Sequence, residues 1–237
     1  VIKRLLKYNV SIVELGAQSM DDNLLRLSQR GHSSKDTEKA SLMLKNAGIT
    51  LGLQTMTGLP GADRPSDIET SKKIAALQPD FVRIYPTIVI NQTTLCHWLE
   101  QGKYQSPSLE YTVDLCAELY CFYKSKNIEV VRMGLQSSDN ISADGEIKAG
   151  PYHPAFGQLV YSRIALMNVE KMLQFYGFDA DKFEGKNIHI YIPVGKVSDY
   201  IGQKKSNKEF LKSKYGFHDI KLIEDNSLNG DDIHIKL

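Results

Sequence analysis

The fold is read outward from Ile49-Thr50-Leu51-Gly52-Leu53-Gln54-Thr55-Met56-Thr57-Gly58-Leu59-Pro60-Gly61. Ile49 to Thr57 is a largely apolar, β-rich run, and Gly58-Leu59-Pro60-Gly61 closes it as a turn. Upstream, Ser33 and Ser34 offer an N-cap for a helix through Ala47, with Gly48 at its stop. Downstream, Ser66 is expected to cap a helix to Leu77 that Pro79 ends, and Phe81-Val82-Arg83-Ile84-Tyr85-Pro86 follows as the next strand. Near-continuous apolar strands separated by helices of roughly 10–15 residues predict parallel βα units, because such strands are buried on both faces.

The same alternation extends both ways. Val1 to Tyr8 reads as the end of an amphipathic helix and Ser11 to Gln18 as a strand closing on small residues. Beyond an excursion from Thr87 to Ser106, Leu109 to Lys126 is a helix and Ile128 to Leu135 a fourth strand. The class is therefore α/β, as part of an eight-stranded barrel or as a doubly wound sheet. In either architecture ligands bind at the C-terminal ends of the strands, here marked by Gln18, Thr55 with Met56, and Tyr85.

Past residue 135 the pattern changes. Ser137-Ser138-Asp139-Asn140 begins a loop, Gly150 to Gly157 is rigid and aromatic-rich, and a helix runs from about Gly157 to Leu173. Ile188-His189-Ile190-Tyr191-Ile192-Pro193 alternates as a strand. A basic turn and helix (Gly202 to Lys214) and two short strands around Ile220 and Ile233 complete a small α+β unit. The expected division is 1–135, a 136–186 connector, and 187–237.

Composition excludes several classes. A net charge of +1 gives no global footprint for nucleic acid, so such a partner has to come from a local patch. No apolar run is long enough to span a membrane, and Val1-Ile2-Lys3-Arg4 has no signal-peptide pattern. Cys96, Cys116 and Cys121 are odd in number and fit neither a disulfide framework nor a zinc site. They read as free thiols of a cytosolic protein. No histidine or carboxylate spacing argues for a metal.

Three segments carry chemistry at the strand ends. The first is Glu14-Leu15-Gly16-Ala17-Gln18-Ser19 followed by Gln29-Arg30-Gly31-His32: Gln18 exposes an amide that can read hydroxyls, and Arg30 a planar fork suited to a carboxylate. The second is Gln54 to Gly61, where Gly58 allows a turn or close approach to a ligand. The third is Arg83-Ile84-Tyr85-Pro86-Thr87. Each alone is explained by a capped strand, a surface arginine or a proline-ended barrel strand.

Together, at these separations, they resemble the radical S-adenosylmethionine (SAM) superfamily over about residues 1–135. The nearest branches are the Elongator catalytic subunit with its bacterial relatives, and the oxygen-independent coproporphyrinogen oxidases. The resemblance implies the C-terminal part of a partial (β/α) barrel. It also implies SAM as cofactor, with Gln18 on the ribose, Arg30 on the methionine carboxylate and Met56 lining the adenine site, with Gly58 in the same cofactor-binding set, and with Tyr85 and Pro86 near the barrel mouth. Gln54 departs from the acidic residue that the coproporphyrinogen oxidases carry at its position. The family's [4Fe–4S] cluster is held by Cys-x-x-x-Cys-x-x-Cys, which this sequence lacks. With no initiator methionine at Val1, the expectation is a C-terminal fragment, inactive alone, of a full-length enzyme that carries the cluster.

The stretch from Ile192 to Leu211 resembles a KH-like nucleic-acid module, whose Gly-x-x-Gly loop clamps a nucleotide backbone. Gly202-Gln203-Lys204-Lys205 keeps the first glycine only, and Lys208 continues the basic stretch. A solvated basic helix explains the same residues. His153, between Pro151 and Pro154 and beside Tyr152, reads as a loop cap or as a proton donor. Three functions compete: an Elongator-like enzyme acting on tRNA or other RNA, a coproporphyrinogen oxidase-like enzyme with a small-molecule substrate, and a non-catalytic RNA-binding relative. A part-barrel also leaves open sheet edges, which predicts self-association or a tail that covers them.

Overall fold

The computed structural model describes residues 1–135, 146–177 and 184–236. The expected loop at Ser137–Asn140 lies outside them. The chain forms two compact units, Val1–Phe156 and Gly157–Leu237.

In the first unit, α1 (Ile2–Lys7) precedes β1 (Ile12–Gln18), α2 (Asp22–Leu27), α3 (Ser34–Asn46), β2 (Thr50–Thr57), α4 (Arg64–Ala76) and β3 (Phe81–Pro86). Then come β4 (Val89–Ile90), α5 (Thr94–Glu100), α6 (Leu109–Ser125), β5 (Glu129–Met133) and β6 (Ile147–Ala149). The four long strands form one parallel sheet in the order β1-β2-β3-β5. Among the described strands that order is sequential, without the reversal that defines a doubly wound sheet, as in a segment of a (β/α) barrel.

Alternation along β2 sorts the two faces. Leu51, Leu53, Thr55 and Thr57 are buried on the helix side, with Ile74 of α4 and Leu115, Leu119 and Tyr123 of α6 in the same core. Gly52, Gln54 and Met56 lie on the other, inner face, in register with Phe81, Arg83 and Tyr85 of β3. On this face the Phe81 ring lies over Gly52, where a Cβ would collide with it.

The helix ends follow capping chemistry with one shift. Ser33 and Asp36 form a capping box at α3, as expected. For α4 the cap is Asp63, not Ser66: Ser66 stands three residues inside and completes a reciprocal box, and Pro65 occupies the first turn. The excursion after Pro86 is structured too, since β4 pairs antiparallel with β6.

The second unit holds most of α7 (Phe156–Phe175), then β7 (Asn187–Ile192), α8 (Val197–Ile201), a 3₁₀ turn (Gln203–Lys205), α9 (Ser206–Tyr215), β8 (Asp219–Glu224) and β9 (His234–Lys236). Its sheet runs β8-β7-β9, with β7 parallel to β8 and antiparallel to β9, which is the small α+β unit expected. Ala165, Leu166, Val169 and Leu173 pack with Ile188, Ile190, Ile192 and Leu211 in one core. The helix expected within the 136–186 connector is therefore one wall of this unit. Its apolar residues give no sequence sign of which core they join.

Candidate functional site

The site is built at the C-terminal end of β1. A bulge between Gly16 and Gln18 breaks the register with β2. Gln18 takes a left-handed backbone (φ 63°), uncommon for a residue with a side chain, and is buried. Its amide folds back over Gly16: a Cβ on Gly16 would stand 2.5 Å from Gln18 Nε2 and 3.8 Å from Arg30 Nη2.

The following loops are pinned. Ser19 Oγ lies 3.1 Å from Thr70 Oγ1 of α4, and Met20 N–H donates to the same oxygen at 3.2 Å. Asp21 caps α2 through the amides of Asn23 and Leu24. Arg30 N–H donates to Leu25 O at 2.9 Å, and His32 Nε2 donates to Ala17 O at 3.1 Å. The strand that positions Gln18 thus also anchors the loop that carries Arg30.

Gln18, Arg30 and Met56 line one cavity of about 240 Å³. Leu59 and Pro60 from the turn after β2, Thr87 and Ile88 beyond β3, and Thr94, Leu95 and Trp98 of α5 close it. One side offers an amide and a guanidinium, the other thioether, aliphatic and indole surface. Such a site suits a ligand with a carboxylate, hydroxyls and a flat apolar part. Trp98, the chain's one tryptophan, was not anticipated. Its segment reads as an irregular excursion, whereas in the fold β4 pairs with β6 and α5 packs against β4 and Tyr104 through Leu95, Cys96 and Trp98.

The other expected residues stand elsewhere. Gln54 lies on the inner face and donates from Nε2 to Glu14 Oε1 at 2.5 Å. Glu14 pairs with Arg83 Nε at 2.9 Å, and Arg83 Nη1 donates to Tyr85 Oη at 3.4 Å. None of these four lines the cavity. Gly58 (φ 71°) packs against Pro107 and is held from both sides: its N–H donates to Asp67 Oδ2 at 3.1 Å and its carbonyl accepts from Tyr104 Oη at 2.8 Å. Burial pushes the Asp67 carboxyl up to about 7, against the Gly58 hydrogen bond that lowers it, with Asp63 adding to the rise. Gly58 therefore fixes the turn whose Leu59 and Pro60 wall the cavity.

His153 accepts from Ala155 N–H through Nδ1 at 3.0 Å, the loop-capping role. Burial pushes the Cys116 thiol up to about 12, which leaves it protonated and unreactive. No metal-binding group of His, Cys, Asp and Glu occurs among the described residues.

In the second unit, Gly202 (φ 75°) opens the turn between α8 and α9, and a Cβ there would meet Ser206 Oγ and the Asn207 amide. Lys204 and Lys205 follow with left-handed backbones. Lys208 is ion-paired with Asp219 at 2.8 Å, Lys196 with Asp199 at 3.2 Å and Lys214 with Glu170 at 2.6 Å. Three of the six lysines from Lys196 to Lys214 are thus matched by acids.

Residues 79–165 match the radical SAM C-terminal domain. The tRNA uridine(34) acetyltransferase of Methanocaldococcus jannaschii is 31% identical over 68% of this chain, and Elongator complex protein 3 of Saccharomyces cerevisiae is 34% identical over 48%. The matched region spans 29% and 21% of those proteins, under a third of their length. The solved archaeal Methanocaldococcus infernus Elp3 with an N-terminal deletion superposes with a TM-score of 0.59 at 28% identity, over 75% of this chain and 39% of that one. The matched domain, these relatives and the sequential parallel sheet make the chain a member of the radical SAM superfamily, in the branch of the Elongator catalytic subunit.

Proposed function

We propose that these residues are the C-terminal part of the barrel of a radical SAM enzyme that modifies tRNA, and that the cavity behind Gln18 and Arg30 holds SAM. The observation that carries this reading is the convergence of Gln18, Arg30 and Met56 on one cavity at the strand ends. Arg30 binds the methionine carboxylate, Gln18 the ribose hydroxyls, and Met56 with Trp98 encloses the adenine. Together they orient the cofactor and exclude water from it. Gly58 shapes the wall, while Gln54 and Tyr85 face the inner surface where the substrate enters.

When bound, the cluster and SAM supply one-electron cleavage of the sulfonium. The cysteines present do not fit that cluster, since Cys96, Cys116 and Cys121 do not gather into one metal-binding group among the described residues. Its ligands belong to a Cys-x-x-x-Cys-x-x-Cys segment beyond these residues, and these residues alone are inactive. The relatives named for tRNA uridine 34 and for Elongator support tRNA as the substrate. The 187–237 unit then acts as a KH-like contact, with Gly202, Lys204 and Lys205 approaching the RNA backbone and Lys208 beside them. The reading places the protein in the cytoplasm; no helix among the described residues is long and apolar enough to cross a membrane. Among the described residues no strand pairs with the outer edges of β1 and β5, which supports self-association through them.

The test is an anaerobic assay on the polypeptide that carries the cluster segment. Reductive SAM cleavage together with a modified uridine in tRNA is the expected result. Cleavage without any tRNA product would remove the substrate while leaving the cofactor site.

A further inference from the structure

We propose that Glu14 and Arg83 are positioning residues that act through Tyr85. Through them the inner face presents the Tyr85 hydroxyl as an oriented hydrogen-bond donor to an acceptor oxygen of the substrate, such as a pyrimidine carbonyl. The inference rests on the reading above that this face meets the RNA, and it names the group that receives it.

The geometry spans three strands. Arg83 and Tyr85 are two residues apart on β3 and share a face. Glu14 belongs to β1, with β2 between them, and Gly52 is the β2 residue in register with Glu14. A side chain there would press on Glu14 Cγ at 3.1 Å and on the Phe81 ring, so the bare Gly52 lets Glu14 reach across. The Glu14 carboxylate accepts from Gln54 Nε2 at 2.5 Å and forms an ion pair with Arg83, its oxygen 2.9 Å from Nε but outside hydrogen-bond alignment, which holds the guanidinium at its inner edge by charge. The outer Nη1 then donates to Tyr85 Oη at 3.4 Å.

The donor inventory gives this arrangement a direction. A guanidinium only donates, so at Tyr85 the oxygen is the acceptor and its O–H stays available to donate. No described residue accepts it. Tyr85 is half-exposed and lies outside the cavity of Gln18 and Arg30, which makes this a second polar locus. A lysine at 83 would keep the charge and lose the fork that joins Glu14 to Tyr85.

The test uses the complete cluster-bearing polypeptide with tyrosine labelled at ¹³Cζ, the Tyr85 resonance assigned by Tyr85→Phe. The probe is an RNA stem-loop with a uridine in its loop. The Tyr85 resonance is expected to move on RNA addition in the unsubstituted protein and to move much less in Arg83→Met and Arg83→Lys. In the coupled assay Tyr85→Phe and Arg83→Met each raise KM for RNA about tenfold, and the double variant is no worse than the poorer single one, because both remove one interaction.

A Tyr85 resonance indifferent to RNA, restoration by lysine, or losses that multiply in the double variant would overturn the proposal. The failure of the enzymatic reading has a different signature, no SAM cleavage by the unsubstituted protein. The resonance decides the Tyr85 proposal even then.

Discussion

The Gln18 side-chain amide lies over Gly16, in the space that any larger residue at position 16 would need. The clash falls on the far end of a flexible side chain, which can swing away. Gly16→Ala is therefore expected to change stability by under about 1 kcal/mol while moving Gln18 out of the cavity. Binding of SAM falls about tenfold or more, as for loss of a well-placed hydrogen bond and its geometry. Urea unfolding beside a binding isotherm separates the two effects, and a large loss of stability with unchanged affinity would reject the assignment.

Gly52 presents the opposite case. A Cβ there meets the Phe81 ring and Glu14 Cγ, not the free end of one flexible side chain. Gly52→Ala is expected to cost about 1–3 kcal/mol by overpacking. Denaturant midpoints at constant m-value check this. A neutral substitution would mean that Phe81 has another place to go.

Asp67 links the cavity wall to pH. Its carboxyl is raised from 3.8 to about 7 by burial, so the folded state binds the proton more tightly than the unfolded chain. The Asp67 contribution is fully present below about pH 4 and declines as pH rises toward 7. Asp67→Asn keeps an acceptor for the Gly58 amide and removes the titration. The difference in stability between the Asp67→Asn variant and the unsubstituted protein should grow in favour of the variant between pH 4 and pH 7, then level off. Thermal melts across that range measure it, and a flat difference would contradict the burial argument.

The barrel part was largely legible. Strands ending at Gln18, Thr57 and Pro86 are near-continuous apolar runs closed by small residues, glycine or proline, and all three form. The two-sided burial this implies is not what the sheet shows, since β3 buries Val82, Ile84 and Pro86 on the helix side with its alternate residues part-buried, and the edge strand β1 is buried only at Ala17 and Gln18. Sequential strand order was not legible, because the local pattern of a βα unit is the same in a barrel and in a doubly wound sheet. At α4 two good capping residues, Asp63 and Ser66, compete, and only the hydrogen bonds choose between them. At the site, Gln18, Arg30 and Met56 were reached from the sequence, but Trp98 and the Glu14–Arg83–Tyr85 series were not. They depend on long-range placement: α5 packed on β4, itself paired with β6, for the first, and a glycine gap between strands for the second.

The tail offers a separate test of RNA contact. Lys204 and Lys205 sit in the turn that Gly202 opens, whereas Lys196, Lys208 and Lys214 are matched by acids. Lys204→Glu with Lys205→Glu is expected to weaken RNA binding and reduce the slope of log affinity against log salt by about 1–2. Mobility shifts over a salt series read both, and an unchanged slope would leave the turn without a role in RNA binding.

Trp98 makes the central assignment directly measurable, because the chain's one tryptophan lines the cavity with Gln18 and Arg30. Titration of the protein with SAM, followed by tryptophan fluorescence, should give a saturable change. The apparent Kd should rise about tenfold or more in Arg30→Ala and in Gln18→Ala at unchanged far-UV circular dichroism. A fluorescence signal indifferent to SAM, or an affinity that both alanine variants retain, would contradict the account.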